Sequence, residues 1–127
     1  MTLVEMVYRS STGFPDQEKF GLTAQLRRSA VSIPSNIAEG AARRSTPEYL
    51  RFLSVARGSL AELDTQLQIA LRLGYLTESN ALSEQLDKTF AKLNSLIRSL
   101  ERKRGLRAAS ANESQIPNLE SRLSNAR

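Results

Sequence analysis

Apolar residues recur at spacings of four and three along most of the chain, which is the pattern of amphipathic helices packed in a bundle. Residues 47–73 show it most clearly, with the seam Tyr49, Leu53, Ala56, Leu60, Leu63, Leu67 and Ala70. Residues 78–104 repeat it with Leu82, Leu86, Phe90, Leu93, Ile97 and Leu100. Residues 16–44 carry Leu22, Leu26, Ala30, Ile33, Ile37 and Ala41. A shorter segment, 2–12, completes four predicted helices.

The links between these segments contain residues that start and end helices. Ser45 and Glu48 have the spacing of a capping box, and Pro47 suits a first helical turn. The other expected helix boundaries are a turn at Gly13-Phe14-Pro15, a C-cap at Gly74, an N-cap at Thr77 and a helix end at Gly105. Because short links between long helices favour antiparallel neighbours, the sequence predicts an all-α, up-and-down antiparallel four-helix bundle.

This bundle is expected to occupy residues 1–105 as one domain. Residues 106–127 are rich in Ser, Asn, Ala and Arg with few apolar positions, which is typical of a disordered, flexible tail. The first helix is short beside its partners. We therefore expect either that another chain completes its packing or that the true start of the protein lies upstream.

Three features inside the predicted helices require a physical cause. Pro34 removes a backbone donor and clashes with the carbonyl of Ala30, so we expect a kink or a break near 30–33. Gly21, with Thr23 as a cap, is expected to separate a short turn at 16–20 from the main second helix. Gly40 and Gly58 each cost roughly 1 kcal/mol in a helix interior, which close helix–helix approach would explain.

The composition excludes most catalytic chemistry. The chain has 0 Cys and 0 His, so disulfides, the usual zinc, haem and iron–sulfur ligand sets, Cys nucleophiles and Ser–His–Asp triads are impossible. Glu39 and Glu62 lie mid-helix, but we expect them to be at least half-buried and bonded to Asn36, Gln25 or a facing Arg, not catalytic. The sequence thus predicts a protein that is not an enzyme and needs no metal or cofactor.

Localisation is predicted from what the chain lacks. No apolar run approaches the roughly 20 residues of a membrane span, and residues 1–8 do not resemble a signal peptide. Together with the absence of Cys, this favours a cytoplasmic protein without membrane association.

Charge becomes informative once it is placed on the bundle. The formal net charge is +5 and the pI about 10.1, which makes an acidic partner such as nucleic acid a candidate. In an up-and-down bundle the C-termini of helices 2 and 4 share one end with the start of helix 3. The candidate nucleic-acid-binding residues at that end are Arg43, Arg44, Arg51, Arg102, Lys103, Arg104 and Arg107. The alternative is that cations at helix C-termini only complement the helix dipoles.

The run from Phe14 to Leu76 resembles a known family. The matching text is FP…FGLTAQLRRSAVSIPSNIAEGAAR, then EYLRFLSVARGSLAELDTQL and LGYL, and the string SIPSNIAEG from Ser32 to Gly40 is highly specific. This resembles the bacterial four-helix-bundle family of 23S rRNA intervening-sequence proteins. The resemblance implies a homopentamer without catalytic activity. A related branch is the accessory protein of diversity-generating retroelements, a basic pentamer that binds nucleic acid and a reverse transcriptase.

Two functions compete on this basis. The first is a non-enzymatic oligomer that binds RNA or DNA without reading sequence, because the basic end would neutralise phosphates while Trp is 0 and most Phe and Tyr fall on the seams. The second is a protein-interaction adaptor whose basic end is ordinary solvated surface. A binding titration against salt distinguishes them.

Overall fold

The structure contains four α-helices and a short 3-10 turn. It is a computed structural model that describes residues 2–112, with side chains as far as residue 106. The helices are α1 (Leu3–Ser11), α2 (Leu22–Ala41), α3 (Thr46–Arg72) and α4 (Asn80–Asn112), and the 3-10 turn is Asp16–Glu18. Within residues 2–112 there is no strand, so the predicted all-α class is confirmed.

Each helix packs against two others. α2 contacts α1 and α3, and α4 contacts α3 and α1, so the four helices close a ring in chain order. The contact between α2 and α3 is the most extensive. Among the described residues no Cα atoms of the diagonal pairs, α1 with α3 and α2 with α4, lie within 8 Å of each other. This is the predicted up-and-down four-helix bundle, in which neighbouring helices run antiparallel.

The seams predicted from the four/three spacing form the core. Seven Leu and Ile positions of the α3 and α4 seams are buried, namely Leu53, Leu60, Leu63, Leu67, Leu86, Leu93 and Ile97, whereas Tyr49, Phe90 and Leu100 of the same seams are half-buried. Leu26 and Ala30 of α2 are buried with them, as are Leu3 and Val7 of α1. Burying one Leu or Ile side chain contributes about 1.5–3 kcal/mol, so these seams account for much of the stability of the bundle.

The helix ends of the α2–α3–α4 region are set by local hydrogen bonds. Ser45 Oγ accepts a hydrogen bond from the backbone N–H of Glu48 at 3.3 Å, as the capping spacing predicted. Gly74 has φ +78°, and the N–H of Tyr75 donates to the carbonyl of Ala70 at 3.0 Å, which makes a Schellman C-cap. The predicted cap Thr77 is wrong, because Ser79 Oγ accepts from the N–H of Leu82 and α4 begins at Asn80.

Pro34 does not break α2. The helix is continuous from Leu22 to Ala41, and Pro34 itself is exposed. Ile33, beside it, is buried in the core, and the side chain of Asn36 donates to the carbonyl of Ser32 at 2.8 Å. The lost backbone bond is the one to the carbonyl of Ala30, and the burial of Ala30 and Ile33 in the core holds the helix together there, so the predicted break is wrong.

Two other predicted boundaries change. α2 begins after Gly21, as expected, but Thr23 is a buried residue inside the helix and not its cap. Glu18 instead accepts the N–H of Leu22 through its side chain at 3.2 Å. α4 does not end at Gly105 but continues to Asn112, because the Arg, Lys, Leu and Ala around that glycine are strong helix formers. The rest of the predicted tail, 113–127, lies outside the described residues.

The short α1 covers only part of the bundle. A groove of about 520 Å³ lies beside its first turn, between α2 and α4. Its apolar lining includes Leu3, Ile33, Pro34 and Ile37. No helix in the described part of the chain is long and apolar enough to cross a membrane.

Candidate nucleic-acid interface

The corner between α2 and α3 is tightly packed around Gly40. A Cβ placed on Gly40 would lie 2.7 Å from the Cβ of Phe52 and 3.0 Å from Cδ1 of Tyr49. No real Cβ tolerates the shorter of these distances, so only glycine allows α3 to approach α2 this closely. The predicted explanation for Gly40 is therefore confirmed. For Gly58 the explanation by close helix–helix approach is wrong within one chain, because nothing lies within 4 Å of a Cβ placed on that residue.

We predict that Gly40→Ala destabilises the protein by about 1–3 kcal/mol, since the added methyl forces α2 and α3 apart. Gly105→Ala is the matched control, because a Cβ there meets nothing within 4 Å. That control should be neutral or stabilising by up to about 1 kcal/mol through helix propensity. Urea unfolding followed by circular dichroism measures both. Equal effects of the two substitutions would contradict the close-approach explanation.

The tight corner places Phe52 between two arginines. The guanidinium carbons of Arg43 and Arg51 each lie 4.8 Å from the centre of the Phe52 ring, within cation–π range. Arg43 also forms an ion pair with Glu39, with 3.1 Å between Nη2 and Oε1. The structure thus brings together two of the predicted cations, one from the link after α2 and one from α3.

The predicted cations of α4 reach the same end of the bundle. Arg57 of α3 donates a hydrogen bond to Asn94 of α4 at 3.2 Å, which fixes the register of the two antiparallel helices. Antiparallel helices rise by the same distance per residue, so from the Arg57–Asn94 pair Thr46, the first residue of α3, lies about level with Gly105. Arg102, Lys103 and Arg104 therefore lie beside the first turn of α3. Beyond them, residues 106–112 extend past the start of α3 by roughly 10 Å, at 1.5 Å per residue.

The seven predicted residues form two groups at one end. Arg43, Arg44 and Arg51 lie at the α2–α3 corner. The α4 group lies on the other side of α3, because α4 packs beside α3 while its backbone stays away from α2 in the described residues. The described cations are all exposed: Arg43, Arg44, Arg51, Arg102, Lys103 and Arg104. Arg107 belongs to α4, and its side chain lies outside the described residues. Because α2 ends at Ala41, Arg43 and Arg44 follow the helix and do not form its last turn.

The mid-helix carboxylates are not buried. Glu39 and Glu62 are both exposed, so the expected half-buried Glu bonded to Asn36, Gln25 or a facing Arg is wrong for each. Glu39 instead pairs with Arg43 one turn further along the chain. Within the described residues no group of three or more Asp and Glu is placed to hold a metal ion.

Phe52 is the site residue that sequence reasoning missed. The signal was present, because Phe52 adjoins Arg51 and lies one position before the seam residue Leu53. Aromatic residues were expected mostly on the seams. Phe14 is indeed buried, but Phe20 is 90% exposed and Phe52 is half-buried beneath its arginines. Only the close approach of α3 to Gly40 explains why this ring meets Arg43.

The fold and this end surface define a class: a small basic four-helix bundle with a polarised charge distribution and no His or Cys chemistry. A comparison with family models then matches residues 1–99 to the 23S rRNA-intervening sequence protein family. The chain belongs to this family. No curated protein matches the chain.

Proposed function

We propose that this protein is a non-enzymatic, oligomeric bundle that binds RNA or DNA through its basic end without reading sequence. The observation that carries the proposal is the concentration of six exposed cations at one end, two of them held against Phe52. Exposed carboxylates at the same end are fewer, with Glu39, Glu48 and Glu101 nearest in sequence. Arg and Lys arranged in this way neutralise phosphates, which supplies affinity but no base specificity.

The family adds a reason to favour nucleic acid. Its name links it to insertions in 23S ribosomal RNA, so an RNA-related role in the cytoplasm of a bacterium is the simplest setting. The alternative, that the cations only complement the helix dipoles, explains the basic end less well in the structure, because Arg43 and Arg44 lie outside α2.

A salt-dependent titration tests the proposal. Fluorescence anisotropy with fluorescein-labelled oligouridylate should show binding at low salt that weakens steeply between about 50 and 200 mM, because each neutralised phosphate releases counterions. A DNA oligonucleotide of equal length should bind with similar affinity, since the backbone is what the cations contact. Absence of binding to either strand at low salt would overturn the proposal.

Self-association is the second part of the proposal. α3 carries, beside its buried seam, a second stripe on one face that stays exposed in one chain, with Val55, Gly58, Glu62 and Ile69, and Leu73 follows directly after the helix. The open space above Gly58 permits close approach by another helix. A stripe of this kind suits a helix–helix contact between copies, and the family resemblance gives the number of copies as five.

We predict that Val55→Glu dissociates the assembly, because it replaces an apolar side chain of this contact with a second carboxylate on the face that already carries Glu62. The exposed neighbour Ser54 lies beside this face, so Ser54→Glu should leave the assembly intact. Both variants add one negative charge, and both side chains are exposed within one chain. Multi-angle light scattering should give about five times the 14.1 kDa of one chain for the parent and for Ser54→Glu. A 14.1 kDa parent at micromolar concentration would remove the oligomer from the proposal.

An adaptor role is the alternative function, and one observation favours it. Phe20, just before α2, is 90% exposed, and Leu73, just after α3, is 55% exposed, so both lie away from the basic end. Large exposed apolar side chains of this kind are suited to contact with a protein partner. If the titration detects no nucleic acid binding, this surface becomes the better candidate site.

A further inference from the structure

Arg43 has two neighbours that compete for its guanidinium. One is the carboxylate of Glu39 at 3.1 Å, and the other is the ring of Phe52, whose centre lies 4.8 Å from the guanidinium carbon. Arg51 contacts the same ring at the same distance but pairs with no carboxylate among the described residues. Of the two arginines that contact this ring, Arg43 is paired with a carboxylate and Arg51 is not, within the described part of the chain.

We propose that Arg43, Phe52 and Arg51 form a preorganised phosphate clamp for a nucleic acid strand, in which Glu39 occupies Arg43 until a phosphate displaces it. This inference rests on the proposed function and deepens it, because it names the phosphate-binding unit within the basic end. Phe52 is a positioning residue in this clamp, since it holds both guanidinium groups while leaving their N–H donors to the ligand.

The packing around Gly40 makes Phe52 suitable for this task. The Cβ of Phe52 lies against the backbone of Gly40, so the ring projects from a point where α2 and α3 touch. Both guanidinium carbons lie 4.8 Å from one ring centre, so they are no more than about 10 Å apart. Arginine side chains ordered in advance lose less conformational entropy when they bind, which raises affinity without adding a contact.

Glu39 has the opposite effect on affinity. A phosphate that binds Arg43 must replace the carboxylate of Glu39 or accept its repulsion, since both are anions competing for one guanidinium. Arg43 and Glu39 are 41% and 56% exposed, so their ion pair is weak enough to be exchanged. The pair thus occupies Arg43 in the free protein and lowers its affinity for phosphate, while Phe52 keeps the guanidinium group in place.

The test compares two Glu→Gln variants that change net charge equally at the same end of the bundle. Glu39→Gln should raise the affinity for labelled oligouridylate about two- to fivefold, the upper part of the range for an exposed ion pair. Glu101→Gln, which removes an exposed carboxylate of α4 beside Arg102, should change it less than about twofold. The gain from Glu39→Gln should vanish in an Arg43→Gln background, because the competition requires Arg43.

Phe52 is tested by a conservative pair of substitutions. Phe52→Leu should lower the affinity for oligouridylate about fivefold, because two cation–π contacts are lost. Phe52→Tyr should keep the affinity of the parent protein, because a tyrosine ring also binds guanidinium groups. Circular dichroism checks that both variants keep their helices. Failure of Phe52→Tyr to keep this affinity would overturn the positioning role.

The outcomes separate the inference from the function on which it rests. If the parent protein binds no oligonucleotide, both the proposed function and the clamp are wrong. If the parent binds but Glu39→Gln and Glu101→Gln have equal effects, or the gain from Glu39→Gln persists with Arg43→Gln, the clamp alone is wrong. In that case the basic end acts through diffuse attraction.

Discussion

Leu63→Asp should abolish cooperative folding. Leu63 is fully buried in the middle of α3, in the cluster that also contains Leu26, Leu60 and Leu67. The substitution removes an apolar side chain and places an unpaired carboxylate where no water reaches it. Truncating a buried Leu alone costs about 2–5 kcal/mol, and the charge adds to that loss. The sum rivals the 5–15 kcal/mol that stabilises a typical domain.

Thermal melting followed by circular dichroism measures this effect, and Ala61→Asp is the matched control. Ala61 lies on the exposed face of the same helix, two residues away, so its variant adds the same charge without burying it. The control should melt within a few degrees of the parent protein. If Leu63→Asp also melted like the parent, the assignment of this seam to the core would be wrong.

Reversing four cations at the basic end should reduce nucleic acid affinity by at least about 100-fold. The variant combines Arg43→Glu, Arg44→Glu, Arg102→Glu and Arg104→Glu, all at exposed positions. Each lost phosphate contact reduces the slope of log affinity against log salt by about 0.9 on duplex DNA. Four contacts should therefore reduce the slope by about 3.6 on a DNA duplex. Helix content and assembly should be unchanged, because these side chains lie outside the core.

The control for this variant reverses four exposed cations away from the basic end: Lys19, Arg28, Arg72 and Lys88. Arg27 is unsuitable because it donates to Ser11 Oγ at 2.8 Å and stacks on Tyr8, so its reversal would disturb the packing of α1 on α2. Equal losses of affinity from both fourfold variants would show diffuse charge attraction and not a localised site.

Local sequence signals predicted most of the scaffold. The core residues were predicted because a helix brings every third and fourth residue to one face, whatever it packs against. The Ser45 cap and the Gly74 C-cap were predicted for a similar reason, since each depends on hydrogen bonds within a few residues. Thr77 failed as a cap because Ser79, two residues later, competes for the same role and local rules do not rank them.

Features that depend on contacts between helices were predicted less well. Pro34 was expected to kink or break α2, but the helix does not break, because Ala30 and Ile33 are buried in the core on both sides of the lost bond. Glu39 and Glu62 were expected to be half-buried, but both face solvent because the small residues beside them pack elsewhere or meet open space. These errors have the same cause. The spacing of residues along the chain shows which of them share one face of a helix, but it does not show which residues of another helix pack against that face.

The sequence by itself determined the helical class, the buried seams, and the gathering of the basic residues at one end, because periodicity and chain direction fix these without knowledge of interhelical distances. Only the tertiary structure decided which of those cations lie together. Gly40 lets α3 approach until Phe52 meets both Arg43 and Arg51, and the ion pair with Glu39 distinguishes one arginine from the other. Such an arrangement depends on distances of a few ångströms between different helices, which no spacing along a single chain encodes.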